Sequence, residues 1–287
     1  MNPLWIGLKN TFTQIRKRKV YFTFLVILQI LLLVSITGTI LFFGVKMIGN
    51  VNDITLSLDK NIGSMDGKVT QDQALEQAYG LLTTYNLLKQ NFFYMMIWLI
   101  IILLTVQFKM WMFSLFFFNT DYKSWRESWK KLFSLFFQQW LKYIFSSVMI
   151  ITPLFLIVYF ALNKAINMNV SPDSFTLLLR VLFYVSVPLY FVLITAFASM
   201  SALSWRDYFK QIFFLLTRKI HYCSVLFILE CLLLSVFLTP VYFTMANENF
   251  FNLSLVMIFI FNIVLVISRL WWISSLKELC KERRDKK

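Results

Sequence analysis

Six apolar runs, at 20–46, 92–113, 143–162, 174–201, 221–243 and 252–274, constrain this chain more than any other feature. Hydrocarbon about 30 Å thick is crossed by roughly 20 helical residues, and each run reaches that length with few or no charges. A segment in lipid must satisfy its own backbone hydrogen bonds, so it is a helix or part of a closed barrel. Barrel strands alternate apolar and polar residues, whereas Met95–Leu104 and Leu253–Ile267 are apolar without alternation. The expectation is an all-α fold, a polytopic transmembrane bundle of about six helices. A composition of 59% hydrophobic and 18% aromatic residues in 287 agrees with this and lies outside the soluble range.

The formal net charge of +14 raises the question of nucleic acid, which the positions of the charges answer. Twenty-two of the 28 basic residues fall before the first run, between the second and third, between the fourth and fifth, and at the end of the sixth. Basic residues accumulate in cytoplasmic connections, so both termini are expected in the cytoplasm of a multi-pass cell-membrane protein. Anionic headgroups at that face are the expected partners, with a protein partner possible and no nucleic acid. The first run lacks a small-residue cleavage pattern and reads as a signal anchor. Cys223 and Cys231 lie inside a run and Cys280 in the basic tail, which argues against a disulfide framework or a four-ligand zinc site.

The chain also resembles itself. At an offset of 80, Ser124, Trp125, Arg126 and Glu127 fall on Ser204, Trp205, Arg206 and Asp207, followed by Lys130 on Lys210, Phe133 on Phe213 and Leu135 on Leu215. At twice that offset Lys109, Trp111 and Ser114 fall on Arg269, Trp271 and Ser274, and at 201 Gln29 falls on Glu230. Three tandem units follow, 1–118, 119–203 and 204–287, each a lead-in, a span outward, an external connection and a span back.

The lead-ins carry helical periodicity. Trp125, Trp129, Leu132, Phe133, Phe136 and Trp140 share one face of the second, and Trp205, Phe209, Ile212, Phe213, Leu216 and Ile220 one face of the third; Leu4, Leu8, Phe12 and Ile15 approximate this in the first. Basic helices with such faces lie in the membrane interface. In these lead-ins, SWRESWKKLFSLFFQQWLKYI and SWRDYFKQIFFLLTRKIHY, the chain resembles uncharacterised six-helix prokaryotic membrane families, among them the membrane domain attached to some glycerophosphodiester phosphodiesterases. The resemblance is one of layout over most of the chain. It implies no catalytic residues, because the phosphodiesterase chemistry of those proteins lies in a separate soluble domain.

The external polar segment 50–91 is expected in water, with a turn at Gly63 and Gly67 and a helix starting from the capping pair Thr70 and Gln73. Charges within apolar runs are costly and therefore informative. Glu230 lies near the middle of the fifth span, with Gln29 at the matching place in the first. Arg180, entering from the other side, is its expected partner. Lys109 and Arg269 near span ends are expected to snorkel as interfacial anchors, together with Trp125, Trp129, Trp140 and Trp205. Pro153, Pro188 and Pro240 can kink their spans. His221 is the one histidine, and neither a phosphate-binding loop nor HExxH occurs. No catalytic residue, metal site or cofactor is therefore expected. The sequence points to a non-enzymatic membrane component organising lipids or partner proteins, with a permease using a site around Glu230 as the alternative.

Overall fold

The structure is a computed structural model and describes residues 2–63, 71–118, 136–150, 152–153, 156–157, 172–201, 204–245 and 250–284. Among these residues the chain is helical and has no strand. In order the helices are α1 (Pro3–Lys17), α2 (Lys19–Gly63), α3 (Gln71–Ile102), α4 (Phe108–Phe116), α5 (136–150), α6 (Pro172–Ala198), α7 (Trp205–Thr217), α8 (Ile220–Met245) and α9 (Phe251–Arg284). A single π turn, Leu103–Gln107, separates α3 from α4.

Among the described residues, four helical stretches are long and apolar enough to cross a membrane: Lys19–Leu56, Ala78–Phe116, Ile220–Met245 and Asn252–Lys281. In none is more than a third of the apolar window buried by protein. Apolar surface on that scale would be unsustainable in water and is at home in lipid, where a helix must satisfy only its own backbone. A shorter apolar stretch, Tyr184–Ala198, forms the second half of α6. Helices α6 and α8 run through Pro188 and Pro240 respectively.

The segment 50–91 has the helix expected after Thr70, and helix also before Gly63. Helix α2 continues to Gly63 and α3 begins at Gln71, so the polar residues on either side of the predicted turn extend the two helices. At 1.5 Å per residue the 45 residues of α2 span about 68 Å, far more than the hydrocarbon needs. Nothing in residues 50–62 breaks a helix: there is no proline, and backbone hydrogen bonds form as readily beyond the lipid as within it.

The chain divides into two compact units. One contains residues 30–107, the outer part of α2 with α3 and the π turn. The other contains residues 1–29 and 108–287 and is built around α9. Helix α9 packs against α1, α4, α6 and α8, burying Val266, Leu270, Trp272, Ile273, Leu276 and Leu279. Its small residues explain the closest of these approaches. Gly7 of α1 lies so near Ser275 that a Cβ there would stand 2.8 Å from the Ser275 backbone, and Thr11, one turn on, is fully buried. Trp271 Nε1 donates to the Leu4 carbonyl at 3.1 Å, and Asn10 Nδ2 to Glu278 Oε1 at 3.3 Å. Helix α1 itself is started by Asn2, whose side chain accepts from the Leu4 N–H, and by Pro3 in the first turn.

This contact takes Leu4 from the stripe of the first lead-in and runs along the neighbouring small residues. Pro3, Leu4, Gly7 and Thr11 are buried, whereas Phe12 of the predicted stripe is exposed, as is Trp5. Close helix packing selects small residues, which leaves the large apolar ones to face away from the protein.

Candidate functional site

The apolar interior of the α9 unit contains a polar cluster centred on Arg269. Arg269 Nη2 donates to Gln29 Oε1 at 2.6 Å, joining α9 to α2. The guanidinium lies over the Trp111 ring of α4, 5.5 Å from its centroid. On α8, Glu230 is only 8% exposed and Gln29 on α2 only 6%. Ser268 and Arg269, adjacent on α9, are the polar groups that act on the Glu230 carboxyl. Tyr190 of α6, whose ring is exposed, also feels the charge of Arg269. The cluster thus draws on α2, α4, α6, α8 and α9.

Two sequence expectations are corrected here. Arg180 is exposed and is not what the structure places beside Glu230; that cation is Arg269. Depth alone misled the assignment, since Arg180 and Glu230 were matched by level, whereas α8 packs along α9 and brings Arg269 alongside. Nor does Arg269 snorkel: its Nη1 is shut off from solvent. Lys109, its repeat counterpart, is exposed. Gln29 and Glu230, matched by the second offset, both converge on Arg269. The residues missed were Trp111, Tyr190 and Ser268. Trp111 carried a signal as the repeat counterpart of Trp271; Tyr190 and Ser268 carried none.

The electrostatics of the cluster are incompletely satisfied. Among the described residues, Glu230 Oε1 and Arg269 Nη1 have no hydrogen-bond partner. Among the described residues no direct ion pair joins the two side chains. An unmatched polar atom in a low-dielectric interior costs roughly 1–3 kcal/mol, so the cluster is held by its surroundings against a penalty.

A second arrangement lies where α7 meets α5. Ser204 caps α7, accepting from the Asp207 N–H at 3.1 Å while its hydroxyl donates to Asp207 Oδ2 at 2.7 Å. Tyr208 is fully buried, hydrogen-bonded to the Ser146 hydroxyl of α5, and burial pushes its phenol up to about 12, opposed by that hydrogen bond. Lys142, one turn before Ser146, is buried with its Nζ 5.7 Å from the Tyr208 ring centroid and 5.9 Å from that of Trp205. Trp205 stacks on Phe209, and both meet Phe145 edge-on. On the α9 side, Gln211 Nε2 donates to Cys280 Sγ at 3.2 Å.

Helix α7 therefore has three sides. Tyr208, Gln211 and Leu215 meet the protein; Trp205, Phe209 and Phe213 are exposed, Phe213 to 70%; Arg206, Lys210 and Thr217 carry the polar side. Sequence periodicity located the aromatic face but not the neighbouring one that docks. In the second lead-in, Trp140 is half-buried, while Trp125 and Trp129 lie outside the described residues. No family model matches the chain, and no curated protein or solved structure matches it either.

Proposed function

We propose that this chain is a non-enzymatic integral membrane protein that organises lipids or partner proteins at the cytoplasmic face of the cell membrane through interfacial helices. The observation that carries this reading is α7, a helix tied to the protein by Tyr208 and Leu215 while Trp205, Phe209 and Phe213 stay exposed beside Arg206 and Lys210. That combination suits the headgroup boundary, with rings in the acyl region and cations among the phosphates. Helix α1 supports it, with Trp5 and Phe12 exposed and Lys9, Arg16 and Lys17 on the same helix.

The finer layout belongs to the same proposal: six crossings in three units, 1–118, 119–203 and 204–287, with both termini cytoplasmic and 119–135 leading into α5 as the counterpart of α7. The likeness of layout to the membrane domain of some glycerophosphodiester phosphodiesterases is also proposed at this level. Hydrogen exchange in vesicles tests the function. Anionic lipid should protect α1 and α7 more than zwitterionic lipid does, and a Trp205→Ser/Phe209→Ser variant should lose that protection in α7 while α8 and α9 keep theirs. Unchanged exchange in α7 would reduce it to a connector.

The second reading is a permease with its site at Glu230. It is favoured by one observation, the buried Glu230 Oε1 and Arg269 Nη1 that lack hydrogen-bond partners among the described residues. Proton or sodium flux in reconstituted vesicles that is lost in Glu230→Gln supports this reading. Indifference to the change removes Glu230 from any coupling role.

A further inference from the structure

We propose that the groove along the C-terminal half of α7 binds one anionic phospholipid, its phosphate held between Lys210 and Arg218 and an acyl chain laid on Phe209 and Phe213. The groove is lined by Phe209, Lys210, Phe213, Phe214, Thr217 and Arg218. This assignment rests on the interfacial placement of α7 proposed above and adds to it a discrete ligand.

Charge complementarity carries the argument. Among the described residues the lining contains two cations and no carboxylate. Neither Lys210 nor Arg218 makes an ion pair among the described residues. The nearest acid on the helix, Asp207, is occupied by the Ser204 cap at the opposite end. Lys210 and Arg218 are eight positions apart, so their backbones differ by about 12 Å along the axis, a gap that two long side chains close onto one phosphate group from either side. The carbonyl end of α7 opposes an anion with about half a charge, which two full positive charges outweigh. The apolar half of the lining decides between sources of phosphate. A soluble anion has no use for two exposed phenyl rings, whereas a lipid brings both a phosphate and an apolar chain.

The test uses the full chain in nanodiscs of phosphatidylcholine with a minority of phosphatidylglycerol, and counts the lipids retained on the protein by native mass spectrometry. The expected result is preferential retention of phosphatidylglycerol and about a thirtyfold weaker retention in Lys210→Gln/Arg218→Gln, taking each basic side chain as about 1 kcal/mol. Lys210→Arg/Arg218→Lys should restore it, and exchange protection of α8 and α9 should confirm that both variants are folded. Retention unchanged in the Gln variant overturns the site, and if α1 and α7 still gain protection from anionic vesicles the interfacial reading survives it. Loss only in Phe209→Ser/Phe213→Ser overturns a phosphate site in favour of plain acyl contact. Binding of a polyglutamate peptide in detergent that depends on the same two cations, with no lipid preference, overturns it in favour of an acidic protein.

Discussion

Arg269 shows how one side chain can organise several helices. Its guanidinium donates to Gln29 and lies over the Trp111 ring, and its charge acts on Glu230 and Tyr190. Removing it should leave two buried polar groups without their main partner, so Arg269→Leu is expected to destabilise the protein by about 1–3 kcal/mol in thermal unfolding in detergent. The Glu230→Leu/Arg269→Leu pair should cost less than the sum of its parts, because the residues share one cluster. A double-mutant cycle measures this, and strict additivity would separate the two residues. Gly7 provides a steric counterpart. Any side chain at Gly7 meets the Ser275 backbone 2.8 Å away, which cannot yield as a side-chain tip can, so Gly7→Val should cost about 1–3 kcal/mol. The loss should be seen as faster exchange in α1, while a Thr13→Val change on the exposed side of the same helix should be nearly silent.

At the scale of an element, α7 is held on one side by Tyr208 and exposed on another, so its attachment depends on the state of one phenol. Burial raises the Tyr208 pKa from 10 to about 12. A phenol that is harder to ionise when docked than when free contributes stability that is complete below pH 10 and is lost as pH rises towards about 12. Exchange in α7 should therefore accelerate across that window, with α9 less affected. Tyr208→Phe should abolish this pH dependence while weakening docking at neutral pH, since the bond between α7 and the Ser146 hydroxyl is lost and Ser146 keeps only the Lys142 carbonyl of its own helix. Helix α9 obeys a different logic. Its 34 residues extend about 51 Å, longer than the hydrocarbon needs, and its C-terminal part receives α1 at Ser275 and Glu278.

For the whole molecule, the one-sided distribution of basic residues makes a prediction that does not depend on any side-chain contact. Single cysteines placed in 50–91, 163–173 and 244–251 should react with an impermeant thiol reagent from outside, and those in the lead-ins only after permeabilisation. Reaction of the first segment from the cytoplasmic side would invert the proposed topology. Under this topology the polar ends of α2 and α3, which make up most of this segment, should be labelled along their length.

Helical class, and four helical stretches long and apolar enough to cross a membrane, were legible in the sequence because both depend on local quantities: run length, absence of charge and the need of each backbone group for a partner within its own segment. The helix at 205–217 was legible for the same reason, its period being written in Trp205, Phe209 and Phe213. What the residues meet was not legible. Arg180 and Arg269 are both arginines in apolar runs, and only the packing of α8 on α9 decides that Arg269 stands beside Glu230. The docking faces of α1 and α7 were hidden likewise, because in lipid the large apolar side chains are as comfortable against acyl chains as against protein. Hydrophobicity therefore cannot say which face is buried; Gly7 and Thr11 on α1, and Tyr208 on α7, are chosen by closeness of approach and by hydrogen bonds that exist only once the helices are together.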